Sequence, residues 1–193
     1  MLIGTHAGYE IHRLKTIEDC ADCRGEFIGA YQTVFGDPPY FERYTTAEAE
    51  GQFRRLTETP DHITLIARKD GKLAGFAIAV PLASQPAVAR ELPGLVSVSH
   101  AYYLAELGVL KDHRGAGLGR ELVRQRIKQM DTERYSHVVL RVSAARNASY
   151  DMYMSMNFHD MGVYMEVSVR RNDGRVRSDR RLFLSRMISQ VPL

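Results

Sequence analysis

The 193 residues predict one mixed α/β domain, a sheet flanked by helices. Three observations carry this. His100–Leu110 reads as a strand that runs through a glycine-rich loop into an amphipathic helix, and a nearly continuous apolar run follows at His137–Val142. That is a strand–loop–helix–strand unit, whose two strands lie parallel. Upstream, two apolar runs meet at Asp70-Gly71, the dipeptide of a two-residue antiparallel hairpin. Length and composition agree. At roughly 150 residues per domain the chain suits one domain, and 45% hydrophobic with 25% charged residues is ordinary for a globular protein.

The elements follow in order. Glu10–Thr16 reads as a strand anchored by Ile11 and Leu14. Ile17–Phe35 reads as a helix, with Thr16 as cap and Glu18 and Asp19 in its first turn. Gly36-Asp37-Pro38-Pro39 stops it, because prolines cannot continue a helix. A second helix starts at Thr45 or Thr46 and runs to about Glu58, with Ala49, Phe53 and Leu56 on one face. The hairpin pairs His62–Arg68 with Lys72–Val80. Pro81–Ser99 is a long connector, too apolar for a flexible linker, and reads as a folded lid or loop. After the glycine loop, a helix to Met130 carries Leu118, Leu122, Val123 and Ile127 on its apolar side. His137–Val142 reads as a strand covered on both faces. A helix over Ala148–Met156 capped by Asn147, a strand over Phe158–Arg170, a turn at Asn172-Asp173-Gly174 and a strand over Arg180–Met187 complete the chain.

Several functional classes are excluded. No stretch approaches the 18 apolar residues of a membrane span. Met1–His6 has neither the basic nor the long apolar part of a secretory signal. A net charge of +3 does not argue for nucleic acid. Cys20 and Cys23 form a Cys-x-x-Cys pair within a helical pattern, with no second pair to complete a zinc site, so no metal is expected. They read as two reduced thiols, and the expected compartment is cytoplasmic.

The informative segment is Arg114-Gly115-Ala116-Gly117-Leu118-Gly119. Glycines let backbone approach a ligand and adopt positive φ. The loop's N–H groups, with those at the start of the following helix, suit a pyrophosphate. A Walker A sequence is absent. The dinucleotide pattern fails, since its last glycine would fall at Arg120. What matches is Arg-x-x-Gly-x-Gly.

Through that motif the chain resembles the GNAT superfamily of acetyl-CoA-dependent N-acetyltransferases, whose pyrophosphate loop reads Gln/Arg-x-x-Gly-x-Gly/Ala after the fourth strand. A second match lies at Asn147, Tyr153 and Phe158. Asn157 stands where the family usually has Gly, and Asn tolerates the left-handed conformation. The order of elements agrees from about Glu10 to Met187. The resemblance implies a GNAT-like single domain over residues 1–193, with a mostly antiparallel mixed sheet and a central splayed parallel strand pair.

It also implies the chemistry. Acetyl-CoA is the expected donor and coenzyme A the product, with direct attack by a primary amine in a ternary complex. The donor site would comprise Leu107, Val109, Arg114, Gly115, Ala116, Gly117, Leu118, Gly119, Asn147 and Tyr153. The strand ending at Val109 would pair with the pantetheine arm, and a backbone N–H near Leu107 would meet the carbonyl oxygen as it gains charge. Arg114 reads equally as a phosphate contact or a solvated arginine. Glu106 is the candidate base, against a structural ion pair or a partly exposed edge of the cleft. His100 and Tyr102, on the same face by period two, are weaker candidates. Tyr153 is the candidate proton donor to the leaving thiolate, with Tyr150, one turn earlier, as its alternative.

The acceptor is an unidentified small-molecule or peptide amine. Its pocket would be formed by the connector holding Pro38, Pro39, Tyr40, Phe41 and Tyr44, by Pro81–Ser99, and by the last hairpin with Arg170, Arg171, Arg175, Arg177, Arg180 and Arg181. Those arginines read as a solvated face or as steering charge for an anion. A homodimer through the last strands suits the fold. The competing reading is a non-catalytic acyl-CoA sensor of the same fold.

Overall fold

A computed structural model describes residues 1–188 of the chain. Eight strands form one sheet: β1 (Leu2–His6), β2 (Tyr9–Leu14), β3 (Ile63–Lys69), β4 (Lys72–Pro81), β5 (Ala101–Val109), β6 (His137–Ser143), β7 (His159–Arg170) and β8 (Val176–Met187). Their spatial order is β1-β2-β3-β4-β5-β6-β8-β7. Every neighbouring pair is antiparallel except β5 and β6. The helices are α1 (Ile17–Gly36), α2 (Thr46–Thr57), the single turn α3 (Pro86–Ala89), α4 (Leu118–Lys128) and α5 (Ala148–Met154).

Local chemistry explains the helix starts. Thr16 and Thr45 accept from the N–H of Asp19 and Glu48, whose carboxylates return to the cap backbone. Asn147 accepts from the N–H of Ser149 and Tyr150. At Asn157, φ is 62°, the left-handed conformation expected where Asn replaces Gly.

The sheet is covered on both faces. On one, Leu118, Leu122, Val123 and Ile127 of α4 and Tyr150 and Tyr153 of α5 pack on Ile11, Leu65, Ala77, Leu104 and Leu140. On the other, Phe27 and Tyr31 of α1 and Phe53 and Leu56 of α2 pack on Ile66, Phe76, Ile78 and Tyr103. The Pro81–Ser99 connector is folded as expected: Leu82, Val88 and Leu92 are buried in this second core. Cys20 and Cys23 are buried and unlinked, and burial pushes the Cys20 thiol up to about 11. No metal-ligating cluster occurs among the described residues.

Three features differ from the sequence reading. Leu2–His6 is a strand that the reading left without structure. Its hairpin turn uses Ala7 and Gly8 at φ of 47° and 82°, so Ala occupies a position where Asn or Asp would announce the turn. β8 starts at Val176 rather than Arg180.

The third difference lies inside β5. Ile78 pairs with Glu106 but Ala79 pairs with Leu104, so Ala105 is an extra residue and the strand bulges there. Period two fails across a bulge. Tyr102 and Leu104 face α4, whereas Tyr103, Ala105 and Glu106 face α1 and α2. Beyond it, Gly108 lies under the fully buried Phe76, where a Cβ would come within 2.3 Å of the ring. Gly108→Ala is therefore expected to destabilise the fold by about 1–3 kcal/mol in urea titration. Phe76→Leu in the same chain should recover part of the loss, and an unchanged midpoint for Gly108→Ala would contradict this packing.

Candidate active site

β5 and β6 pair only over Ala101–Tyr103 with His137–Val139, then separate. The gap is the expected splay, and it opens on two hollows. A groove of about 440 Å³ lies over the start of α4, and a deeper cavity of about 290 Å³ lies under α1, α2 and the β7–β8 hairpin. Tyr40, Leu107 and Ser149 line both, so the two hollows meet at Leu107.

The groove is built from Leu107, Val109, Arg114, Gly115, Gly117, Leu118, Gly119 and Asn147, with Pro38, Pro39 and Arg120 opposite. Gly115 and Gly117 adopt φ of 83° and 76°, which favours glycine. Gly117 is the N-cap of α4 and offers no side chain there, so the helix's first N–H groups stay uncovered. Ala116 does not line the groove; its carbonyl lies 3.0 Å from His6 Nε2. The first strand thus braces the loop, a long-range contact that no local pattern announces. Arg114 lies at the groove, with Nε donating to Val109 O and Nη2 3.9 Å from Asp37. These residues fit a pyrophosphate: exposed N–H groups, positive-φ glycines and two arginines.

Glu106 and Tyr153 line the cavity. Because of the bulge, the Glu106 carboxylate points at α1 and α2, where it accepts from Gln52 Nε2 at 2.7 Å and Tyr31 OH at 3.3 Å. It is partly open to the cavity and otherwise enclosed. Burial pushes its pKa up to about 7, opposed by the Gln52 hydrogen bond, the Arg141 charge and the Tyr31 hydrogen bond. No salt bridge reaches it among the described residues, and it lies at the partly open edge of the cavity.

Burial also raises the Tyr153 phenol, and the nearby Arg126 guanidinium opposes that. Arg126 of α4 is fully buried. Its Nη1 donates to Ile78 O at 3.0 Å and Glu106 O at 2.8 Å, the carbonyls of the two residues paired at the bulge. The sequence reading placed Arg126 nowhere, because an arginine in an amphipathic helix signals a solvent face.

Other candidates separate from the site. Tyr102 lies on the α4 side and donates to Asp61 O at 2.8 Å. His100 sits in a turn before β5, 2.9 Å from Ser97 Oγ. The bulge breaks the face that would have aligned them with Glu106. Tyr150 is buried under Arg146 and lines neither hollow. Pro81–Ser99 contributes nothing to the cavity wall, whereas Tyr40, Tyr44 and the last hairpin do. The hairpin arginines mostly pair with acids: Arg170 with Glu48, Arg171 with Asp179, Arg177 with Asp173, Arg180 with Glu166 and Arg181 with Glu42.

The acetyltransferase (GNAT) family profile matches residues 25–158, well over half of the chain. The chain belongs to the GNAT family. Among curated relatives, it is 28% identical over 99 residues to N-acetyltransferase 8F1 of Mus musculus, and 27% identical over 101 residues to N-acetyltransferase 8B of Mus musculus. The first match covers 51% of this chain and 40% of the relative, and the second 52% and 39%, so the chain spans about two fifths of the length of these relatives. The GNAT fold is repeated in solved structures. A ribosomal-protein-alanine N-acetyltransferase from Brucella melitensis superposes with TM-score 0.65 at 20% identity, covering 92% of this chain and 98% of its own. An acetyltransferase-family structure from Salmonella typhimurium, described as solved with its cofactor acetyl-CoA, superposes with TM-score 0.63 at 17% identity, covering 97% and 98%. No helix among the described residues is long and apolar enough to cross a membrane.

The raised Glu106 pKa makes a stability prediction. The unfolded carboxyl ionises near 4.5 and the folded one near 7. Between those values the unfolded state binds fewer protons, so this group's contribution is present below about 4.5 and is lost as pH rises through 7. Glu106→Gln is thus expected to match wild type in stability at pH 4.5 and exceed it at pH 8, by on the order of 2 kcal/mol after solvent screening. Urea midpoints at the two pH values check this; equal midpoints at pH 8 would show an unstrained carboxylate.

Proposed function

We propose that this protein is an N-acetyltransferase that moves an acetyl group from acetyl-CoA to a primary amine by direct attack in a ternary complex. The observation that carries the reading is the junction at Leu107. A groove fit for a pyrophosphate meets a cavity holding a carboxylate with a pKa of about 7. Family membership supports acetyl transfer, and the acetyl-CoA complex of the Salmonella structure supports the donor. We further propose one acyltransferase domain over residues 1–193 and a cytoplasmic setting, supported by the two unlinked thiols.

Bound acetyl-CoA would supply the thioester carbonyl; this chain supplies the rest. Gly115–Gly119 and the first turn of α4 hold the pyrophosphate, with Arg114 and Arg120 adding charge. Beyond Tyr103, β5 has no strand partner on its β6 side, so its backbone at Leu107 and Val109 is available to the amide groups of the pantetheine arm and to the carbonyl oxygen. Asn147 acts by starting α5, which carries Tyr153.

An alkyl ammonium has a pKa of about 10.4, so forming the neutral amine at pH 7 costs roughly 4–5 kcal/mol. Glu106 takes that proton, directly or through one water; a base with a pKa near the working pH is well matched to the task. The amine nitrogen then bonds to the carbonyl carbon, the carbon–sulfur bond breaks, and the Tyr153 hydroxyl gives its proton to the sulfur; the nitrogen sheds its surplus proton as the amide forms, and an equivalent proton returns to the Tyr153 phenolate. The Arg126 charge eases that donation by favouring the phenolate. The proton on Glu106 leaves to solvent.

Two measurements test this. Acetyl-CoA at about one hundred times Kd should add about 2.7 kcal/mol, a rise of roughly 5–11 °C in Tm for a chain of this length, with no such rise for NAD or ATP. In assays of thiol release with an amine panel, Glu106→Gln should lower kcat about 10²–10³-fold, and Tyr153→Phe about 10–10²-fold. Both variants should keep the thermal shift. A sensor would bind acetyl-CoA and release no thiol with any amine.

A further inference from the structure

The cavity wall holds four charged side chains: Glu42, Glu106, Arg141 and Arg181. Two satisfy each other. Arg181 Nη2 lies 2.5 Å from Glu42 Oε1 and 3.2 Å from Asp179, and Glu42 also accepts from Tyr44 OH at 2.8 Å. The other two make no salt bridge among the described residues, and the Arg141 charge reaches Glu106 only across the cavity. Glu106 has only the neutral donors Gln52 and Tyr31. Arg55, the nearest cation beyond Gln52, is engaged with the amide oxygens of Gln52 and Gln85.

Arg141 is the anomaly. It projects from β6 beyond the splay, partly buried. Its Nε donates to Tyr103 OH at 2.8 Å, its guanidinium carbon lies 5.6 Å from the centre of that ring, and its Nη1 meets the Met165 sulfur at 2.8 Å. A thioether is a weak acceptor. Its Nη2 has no hydrogen-bond partner, and no carboxylate lies within 4.0 Å, among the described residues. The contrast with the hairpin is informative: five arginines there each reach an acid. A sheltered guanidinium with no carboxylate in contact is costly unless a ligand brings one. The planar fork of arginine matches a carboxylate in two-point contact.

We propose that the acceptor is an amine that also carries a carboxylate, and that Arg141 binds that carboxylate while the amine faces Glu106. This deepens the acetyltransferase reading and rests on it. One carboxylate and one guanidinium facing the same cavity, out of contact with each other, are the complement of a zwitterion. An amino acid neutralises both, and the walls at Tyr31, Phe35, Tyr44 and Tyr103 take its apolar side chain. A polyamine would bring further positive charge towards Arg141, and a plain alkylamine would leave it unmatched.

The test compares matched pairs that differ in the carboxylate but keep a basic amine: L-phenylalanine with phenethylamine, L-methionine with 3-(methylthio)propylamine, and γ-aminobutyrate with propylamine. Thiol release from acetyl-CoA gives kcat/KM for each. Wild type should favour the carboxylated member of at least one pair on the order of 10²-fold, the scale expected for a desolvated charge pair. Arg141→Gln should collapse that ratio towards one, mainly through KM, and Arg141→Lys should restore part of it. A purely structural role for Arg141 would lower both members equally. Retention of the acetyl-CoA thermal shift shows that each variant is folded.

Amines without a carboxylate used as well as, or better than, their carboxylated partners overturn the acceptor inference and leave the acetyltransferase reading standing. So does an unchanged ratio in Arg141→Gln. Donor binding with no turnover of any amine overturns both.

Discussion

Everything at this site depends on one buried contact, between the Arg126 guanidinium and the two carbonyls at the bulge in β5. An extra residue in a central strand leaves backbone groups out of register. In the interior such groups must find partners or cost about 1–3 kcal/mol each. Arg126 supplies them from α4, reaching Ile78 O and Glu106 O with one nitrogen. The helix that presents its N-terminus to the groove therefore also pins the bulge that turns Glu106 towards the cavity. A straight strand would send Glu106 into the apolar layer under α4, beside Tyr102 and Leu104, where a carboxylate has no partner.

The splay between β5 and β6 does the complementary work. Three paired residues hold the strands together at one end, and the rest of the gap becomes space. The donor side of that space is backbone and glycine, suited to phosphate and amide groups. The acceptor side is aromatic and charged, suited to a small polar molecule with an apolar part. Their shared boundary at Leu107 is where a thioester and an amine can meet. Burial sets the reactivity on both sides: it raises the Glu106 carboxyl to about 7 and raises the Tyr153 phenol, with Arg141 and Arg126 moderating each. In the proposed mechanism one group accepts a proton and the other gives one, because their surroundings differ as much as their chemistry.

Much of this was legible in the sequence. The Asp70-Gly71 turn, the Thr caps, the proline stop after α1 and the glycine loop each act within a few residues, so local patterns expose them. Most of the donor groove followed, since its residues are nearly contiguous; Ala116 turned away from it and Tyr153 lies in the adjoining cavity. What could not be read is long-range. The bulge depends on an arginine some twenty residues downstream, and it turns Glu106 off the face that period two would have it share with Tyr102. The Ala7-Gly8 turn lacks the residues that mark such turns, so the first strand and the His6 brace on the loop went unseen. Arg141 looked like any arginine in a covered strand, because its lack of an acid is a property of the folded cavity. The arginine-rich hairpin, conspicuous in sequence, turned out mostly paired with acids.

The most direct test of this account is a crystal structure of the protein with acetyl-CoA. The account predicts the pyrophosphate on Gly115–Gly119 at the start of α4, and the thioester carbon beside Leu107 between the Glu106 carboxylate and the Tyr153 hydroxyl, with Ala105 bulged and Arg126 bound to both carbonyls. A donor seated away from the glycine loop, or a regular β5 that carries Glu106 under α4, would contradict it.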